Sequence, residues 1–334
     1  MSAPELRPND EPPTLAPRPY QILALTGGGY RGLYSAAILV ALEEEAGRPL
    51  HQVFDMIAGT SIGGILGIGL SCGVSACDLF DAFLDNGDAI FPTYYRIKGK
   101  RVFPRIRLGA FGARYSSKGL ATTIDAVLAK SDKKVLGDAL ATLLIPSIEV
   151  LSDSHVLFEH GVGDQTVLLR DIALATSAAP TYFPEHAIGD RLFIDGGLVA
   201  NAPDIVAMTR ALARGHALEN IRIVSLGTAG AVGGHAARKT RSPGFLLDGA
   251  RLFALTLQSQ QKLSLDLAQQ ALGKRHIRLD KAPSAEEAKA AGLDKVTPAA
   301  ASTLQNLARE TIGKARTQHA AQFRDILNRS SARL

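Results

Sequence analysis

Residues 53–64 read Val-Phe-Asp-Met-Ile-Ala-Gly-Thr-Ser-Ile-Gly-Gly, and the fold is decided around this stretch. The apolar run 53–58 predicts a buried strand, and the apolar run 65–70 predicts a helix. Between them, Gly59-Thr60-Ser61-Ile62-Gly63 has the G-x-S-x-G pattern of a nucleophile elbow. Such a turn crowds the residues two before and two after the serine, and here both are glycine. Ser61 is therefore a candidate nucleophile at a helix N-terminus, where the dipole favours negative charge; the alternative is an ordinary tight turn.

A second glycine-rich turn, Gly27-Gly28-Gly29-Tyr30-Arg31-Gly32, follows the strand predicted over 20–26 and precedes the helix predicted over 33–45. Its spacing fits the dinucleotide fingerprint G-x-G-x-x-G, but that site needs an acidic residue at the end of the second strand, where this chain has Ser61. The other interpretation is an oxyanion hole. Three consecutive glycines can turn several backbone N–H groups toward one point, and no side chain blocks access to it.

A nucleophilic serine also needs a base. None of the eight histidines lies in a local catalytic signature, although His186, His216 and His235 remain candidates by position. Asp195 is the stronger candidate. It ends a short apolar strand predicted over 191–194, and Gly196-Gly197 lets backbone and substrate approach closely. The alternative is that this Asp-Gly pair only starts a turn.

The rest of the chain predicts an α/β fold with a mostly parallel sheet, because apolar strands alternate with helical segments. We expect a disordered, proline-rich tail over 1–19 and one domain over 20–334, with a C-terminal helical extension. The apolar positions of that extension favour a helix packed on the core, with a dimer contact as the alternative. Further strands are predicted over 143–151, 155–159 and 221–226, and a helix over 168–177. The apolar C-terminal positions are Leu304, Leu307, Ala308, Thr311, Ile312, Ala315, Phe323, Ile326 and Leu327.

Composition and charge narrow the class of protein. The 334 residues are 46% hydrophobic, yet no stretch approaches the roughly 18 apolar residues of a membrane span. Two cysteines in no metal or redox spacing indicate free thiols and a cytoplasmic protein. The net charge is +5, and the positive charge is concentrated in one segment without Asp or Glu, the basic segment. This distribution excludes a DNA-coating protein. The basic segment predicts a solvated loop, a contact with anionic membrane, or a site for an anionic activator. The candidate contacts are Arg96, Lys98, Lys100, Arg101, Arg105 and Arg107.

Taken together, four motifs resemble those of the patatin-like phospholipase family: the two glycine turns, Ala175-Thr176-Ser177-Ala178-Ala179-Pro180, and Asp195-Gly196-Gly197. The resemblance spans roughly 21–226. It implies a three-layer patatin-like α/β fold with helices on both faces of the sheet. It also implies a phospholipase A type of hydrolase with a Ser61–Asp195 dyad and no cofactor or metal, in peripheral contact with the inner membrane. The implied oxyanion hole consists of the backbone N–H groups of Gly28 and Gly29, helped by that of Ile62. Many family members have Asp just before the glycine run, where this chain has Thr26.

More narrowly, the stretches 29–34 and 87–92 resemble bacterial patatin-like effectors of anti-phage defence. Cyclic oligonucleotides switch those effectors on, and they then degrade the host membrane. The resemblance implies membrane phospholipids as substrate and a cyclic dinucleotide as activator, and it leaves a homo-oligomer open. Two alternatives also remain: a nucleotide-binding module that uses the 27–32 turn, and a general esterase or thioesterase with a Ser-His-Asp triad. Arg31 either binds a lipid phosphate or braces the loop.

Overall fold

Six residues, Tyr20–Leu25 (β1), form the strand around which the sheet is organised, because both of its faces are buried. The computed structural model describes residues 18–92, 94–97, 100–104, 112–230 and 245–328. β1 pairs in parallel with Met56–Gly59 (β2) on one side and with Ile221–Leu226 (β9) on the other. Parallel strands covered on both faces read as continuous apolar runs, as these do.

The sheet has the strand order β10-β9-β1-β2-β5-β8-β7, with β6 paired to β5 beside this path. The five strands from β10 to β5 run parallel, and β5 pairs antiparallel with β6 and β8. A separate hairpin is formed by β3 and β4. The remaining strands are Tyr94–Ile97 (β3), Lys100–Pro104 (β4), Thr142–Glu149 (β5), Ser154–Glu159 (β6), His186–Ile188 (β7), Arg191–Asp195 (β8) and His276–Leu279 (β10).

Helices cover both faces of the sheet, as the sequence predicts for a three-layer α/β fold. Leu23 and Leu25 face the larger core, which α1 to α5, α10 and α11 help to fill, whereas Ile22 and Ala24 face a smaller core against α7. The helices are Gly32–Ala46 (α1), Ile62–Ser71 (α2), Ala76–Ile90 (α3), Ser117–Leu128 (α4), Leu169–Thr176 (α5), Gly197–Ala200 (α6), Asp204–Ala213 (α7), Phe245–Leu272 (α8), Ala285–Ala290 (α9), Pro298–Gln318 (α10) and Ala320–Leu327 (α11).

The apolar C-terminal positions form one buried face, as predicted, but on two helices rather than one. All nine predicted positions from Leu304 to Leu327 are buried. The helical conformation is interrupted at His319, which follows α10 and precedes α11. The face packs on α1, and the Tyr34 hydroxyl lies 2.8 Å from the Thr311 hydroxyl. This packing supports the helix that directly follows the first glycine turn.

The proline-rich tail predicted over 1–19 lies almost wholly outside the described residues. So does the stretch 229–244, whose glycine and basic residues predict a mobile loop. The two cysteines predicted to be free thiols form no disulfide in the structure. Cys72 is buried and Cys77 is exposed. Among the helices of the described part, none is long and apolar enough to cross a membrane.

Candidate active site

Ser61 lies at the tip of the turn between β2 and α2. Its φ of +55° and ψ of −125° put a non-glycine residue in a strained backbone conformation. Gly59 and Gly63 make this turn possible. A Cβ on Gly59 would come within 2.2 Å of the Gly63 carbonyl oxygen, and one on Gly63 within 2.3 Å of the Leu25 carbonyl oxygen. Crowding within the turn at Gly59, and packing of the turn against β1 at Gly63, therefore exclude a side chain at either position.

Thr176 braces this turn from the end of α5. Its Oγ1 accepts a hydrogen bond from the Ser61 N–H at 3.1 Å and donates one to the Pro146 carbonyl at 2.7 Å. A buried hydroxyl that both donates and accepts fixes the serine backbone relative to β5. The motif from Ala175 to Pro180 thus contributes directly to the site through Thr176. The sequence alone does not predict this role of Thr176.

Asp195 is brought to Ser61 by the end of β8. The Ser61 hydroxyl lies close enough to the Asp195 carboxylate to favour its ionised form, and the Gly197 N–H donates to Oδ1 at 2.7 Å. Burial raises the pKa of Asp195 to about 6, and these two interactions lower it only in part. The Asp195 N–H donates to the Ala178 carbonyl at 3.0 Å. A carboxylate held this way can accept a proton near neutral pH.

The glycines after Asp195 are required by close contacts. A Cβ on Gly196 would come within 2.1 Å of the Pro146 carbonyl oxygen. One on Gly197 would come within 3.0 Å of both the Asp195 Oδ1 and the Asn201 Oδ1. The Asp-Gly-Gly stretch is therefore not a simple surface turn.

The first glycine turn lies against Ser61. A Cβ on Gly27 would be 3.3 Å from the Ser61 Cβ, and one on Gly32 would be 2.1 Å from the Ile62 side chain. The Gly27 N–H donates to the Asn201 carbonyl at 3.0 Å. Within the described ranges, the N–H groups of Gly28 and Gly29 have no acceptor, so both are available to an oxyanion.

Gly29 is shaped by a distant part of the chain. Its φ is +56°, and an added Cβ would come within 2.4 Å of the Leu293 carbonyl oxygen. The same carbonyl accepts the N–H of Tyr30 at 2.8 Å. Tyr30 in turn packs on Gly87, where an added Cβ would lie 2.6 Å from the ring. The two stretches that carry the narrower resemblance therefore touch each other beside the site.

A polar cluster lies beneath the first glycine turn. Of its residues, the sequence motifs point only to Thr26. The Arg278 Nη1 donates to the hydroxyls of Thr26 and Ser225, each at 2.8 Å. The Arg278 Nη2 pairs with Asp280 at 2.7 Å, and the Asp280 carboxylate accepts the N–H of Ala229 at 3.1 Å. At the position where many family members have Asp, a hydrogen-bonded threonine thus contacts an arginine–aspartate pair.

Arg31 is a half-buried cation on the wall of the same cavity. Burial lowers the pKa of its guanidinium, against the attraction of the Asp280 carboxylate. In the described part of the chain the guanidinium has no hydrogen-bond partner, and its Nε is fully buried. The bracing role considered from sequence would need bonds from Arg31 to the loop, and no such bond is seen among these residues.

The cavity has a volume of about 190 Å³ and joins a polar end to an apolar end. The polar end contains Ser61, Asp195, Arg31 and Ser177. The hydroxyl of Ser177 is buried and has no partner in the described structure. Such a shape suits an ester with a polar head and a hydrocarbon chain. The apolar end is lined by Ile65, Phe83, Ile90, Phe91, Leu120 and Phe183.

The histidines considered as alternative bases lie elsewhere. His186 bonds to Asp171 at 3.0 Å, and His216 stacks on Tyr20. No histidine of the described residues lines the cavity, and His235 lies outside them. In the same part of the chain, no group of three or more His, Cys, Asp or Glu side chains could hold a metal ion.

The structure does not test the basic segment as a ligand site. Arg96 lies on β3, and Lys100 and Arg101 lie on β4, where only the backbone is described. Lys98, Arg105 and Arg107 lie outside the described residues. Their role as contacts for an anion or a membrane stays a prediction.

A strained serine at a helix N-terminus, beside a buried carboxylate and two N–H groups without an acceptor among the described residues, is the arrangement of a serine ester hydrolase. Comparison with known proteins agrees with this class: the family model described as patatin-like phospholipase matches residues 23–208. The chain belongs to the patatin-like phospholipase family, and it is a carboxylic ester hydrolase. This membership decides against the nucleotide-binding module.

Similar proteins include three described as cGAMP-activated phospholipases. The one from Pseudomonas aeruginosa (strain BWHPSA011 / Pa011) is 33% identical over 314 residues, which are 91% of this chain and 88% of that protein. The one from Vibrio cholerae serotype O1 is 40% identical over 206 residues, 56% of each chain. The one from Escherichia coli (strain TW11681) is 34% identical over 202 residues, 56% of this chain and 54% of that protein.

Proposed function

We propose that the protein hydrolyses acyl esters of membrane glycerophospholipids with Ser61 as nucleophile and Asp195 as base. The observation that carries the proposal is the strained Ser61 beside a buried carboxylate in the same cavity, with the pKa of that carboxylate raised to about 6. Asp195 takes the hydroxyl proton as Oγ attacks the ester carbonyl carbon. The N–H groups of Gly28, Gly29 and Ile62 hold the oxyanion.

The second half of the reaction uses the same groups. Collapse of the tetrahedral intermediate breaks the ester bond, and the leaving lysophospholipid oxygen takes the proton from Asp195. Water then attacks the acyl-enzyme while Asp195 accepts its proton. The fatty acid leaves as Ser61 recovers its hydrogen from Asp195. The apolar end of the cavity receives the acyl chain.

The test is hydrolysis by Ser61→Ala beside the matched control Ser71→Ala at the other end of α2. Ser61→Ala should reduce the release of fatty acid from phospholipid vesicles to below about a hundredth of wild type, because no other group can form the acyl-enzyme. Ser71→Ala removes a buried hydroxyl without a described partner and should keep full activity. Equal activity of both variants contradicts the proposal.

Arg31 is proposed as the contact for the lipid phosphate, since it is half-buried in the cavity wall and its guanidinium has no hydrogen-bond partner among the described residues. Arg31→Gln removes the charge but keeps most of the bulk. We expect kcat/KM for phospholipid to fall by about 10- to 100-fold, the value of a charge-assisted hydrogen bond. Turnover of a short uncharged ester should change less than about threefold. An equal loss on both substrates would assign Arg31 to bracing the loop.

A cyclic dinucleotide is proposed as activator, in a role in bacterial anti-phage defence. The support is the description of three relatives as cGAMP-activated, together with the basic segment around Arg96–Lys118. Phosphates would pair with its arginines, and bases would stack on its aromatic residues. Fatty-acid release should be low in the purified protein and rise when one member of a panel of cyclic di- and trinucleotides is added.

The control for activation is the double variant Arg105→Glu plus Arg107→Glu. It should lose the response to the nucleotide while keeping vesicle binding. Full activity of the wild type without any nucleotide contradicts the switch. Loss of vesicle binding with intact activation would assign the segment to the membrane.

A further inference from the structure

Helix α8 carries an unusual concentration of exposed apolar side chains. Leu255, Leu263 and Leu267 are 52%, 60% and 41% exposed, and Val199 on the adjoining α6 is 40% exposed. Eight and four residues separate the leucines, so they fall on one side of the helix. Seven other large apolar side chains are exposed among the described residues. Six of them lie at separate positions outside α6 and α8, and the seventh, Leu293, lies in the cavity wall.

The opposite side of the same helix belongs to the cavity. Leu257, Gln258 and Gln261 line it, and Leu198, the neighbour of Val199, lines it too. Hydrogen bonds fix α8 there: the Asn201 side chain donates to Gln261 at 2.7 Å, and the Asn201 N–H donates to the Gln260 side chain at 3.1 Å. Surface leucines and active-site wall are therefore two sides of one rigid helix.

We propose that Leu255, Leu263, Leu267 and Val199 form a docking face that inserts into the surface of the phospholipid bilayer. The inference rests on the proposed function, because the bilayer is where the substrate lies. A lipid must leave the bilayer to reach Ser61, and it moves least through water if the cavity wall itself contacts the membrane. An amphipathic helix lying in the interface gains binding free energy from each leucine it buries among the acyl chains.

The charged residues on the exposed side of α8 also suit contact with a phospholipid bilayer. Lys262 and Asp266 lie between the leucines and pair with each other at 2.6 Å, so they add no net charge to the face. Attachment through this part of α8 would therefore depend on apolar contact and only weakly on salt. It is distinct from attachment through the basic segment, which would weaken as salt rises.

The experiment compares two double variants with the same chemical change. Leu263→Glu plus Leu267→Glu alters the docking face. Leu140→Glu plus Leu168→Glu alters leucines that are 42% and 46% exposed. Leu140 lies beside the C-terminal end of α2 and Leu168 at the start of α5, and both of these ends are far from Ser61. Binding is measured by flotation with phosphatidylethanolamine–phosphatidylglycerol vesicles, in a Ser61→Ala background so that the vesicles stay intact. A short soluble ester is then assayed with Ser61 present.

The expected result is at least about tenfold weaker vesicle binding for the α8 variant, at both low and high salt, with the control variant like wild type. Turnover of the soluble ester should be unchanged in both. Equal vesicle binding by the two variants overturns the proposal. So does a fall in molar mass of the α8 variant in solution with intact vesicle binding, because a second copy of the chain would then cover the face. A wild type that shows no esterase activity with any member of the cyclic nucleotide panel would contradict the proposed function but not the binding result.

Discussion

At the scale of single residues, Asp195 connects catalysis to stability. Burial raises its pKa to about 6, well above the ordinary value of 3.8. An ionised carboxylate at this position therefore destabilises the fold by about 3 kcal/mol above pH 6, and the penalty disappears as the pH falls towards 4. The group proposed as the ionised base thus destabilises the fold at the pH where it would act.

Asp195→Asn should abolish hydrolysis and raise the unfolding free energy at pH 8 by up to about 3 kcal/mol, because asparagine carries no charge to bury. The control is Asp190→Asn, an exposed residue just before the same strand, which should change neither quantity measurably. In the wild type, kcat/KM should rise with pH through about 6. A pH-independent rate between 5 and 7, or a destabilised Asp195→Asn, would argue against this account.

Gly29→Ala should reduce turnover by about 100-fold or more, since the new methyl group would collide with the Leu293 carbonyl and displace an oxyanion donor. Gly47→Ala is the control. Gly47 has nearly the same φ, +63°, but no atom lies within 4 Å of an added Cβ. Both variants suffer the same backbone strain, and only Gly29→Ala should lose activity while unfolding at a similar temperature. Equal losses of activity would mean that strain alone is responsible.

Sequence patterns predicted Ser61, Asp195 and the glycine turn because each follows a strand, and strands of one sheet bring their ends together. Thr176, Asn201 and Leu293 could not be predicted in the same way. They act through a hydroxyl or a backbone carbonyl, which many residue types could offer equally well. Nothing in the residue type at position 293 indicates that its carbonyl contacts the glycine turn.

At the scale of helices and strands, α10 is the element whose packing supports the site most indirectly. Leu307 is fully buried on it, in the face packed on α1. Leu307→Ala should lower the unfolding free energy by about 2–5 kcal/mol, since it removes buried methyl groups and leaves a cavity. Leu151→Ala, at a position 67% exposed, should cost less than about 0.5 kcal/mol. Denaturant titration distinguishes the two, and equal costs would show that α10 packs loosely.

Elements with continuous apolar runs were predicted well, and those without them were missed. The strand predicted over 221–226 has the observed bounds, whereas the one predicted over 53–58 begins late, at Met56. Asp55 accounts for the difference, since its carboxylate accepts the Gln21 N–H at 2.8 Å. Strand β10 escaped prediction because His276 and Arg278 interrupt its short pattern, and α8 escaped because its leucines lie on more than one side.

At the scale of the whole molecule, the order of strands in the sheet could not be read from sequence. β1 pairs with β2, its neighbour along the chain, but also with β9, which lies about 200 residues away. Local patterns specify which segments are strands, while the choice of partner depends on packing that involves the entire chain. The mostly parallel character was predictable only because helices separate the strands.

The contact between the glycine turn and Leu293 has a consequence for synthesis on the ribosome. The Gln21 side chain contacts the carbonyl of Ile326, 305 residues further along, and Tyr30 is anchored by the carbonyl of Leu293. A nascent chain presents Ser61 long before Leu293, whose carbonyl anchors the first glycine turn. The site proposed around that turn therefore stays incomplete on the ribosome until Leu293 has been made.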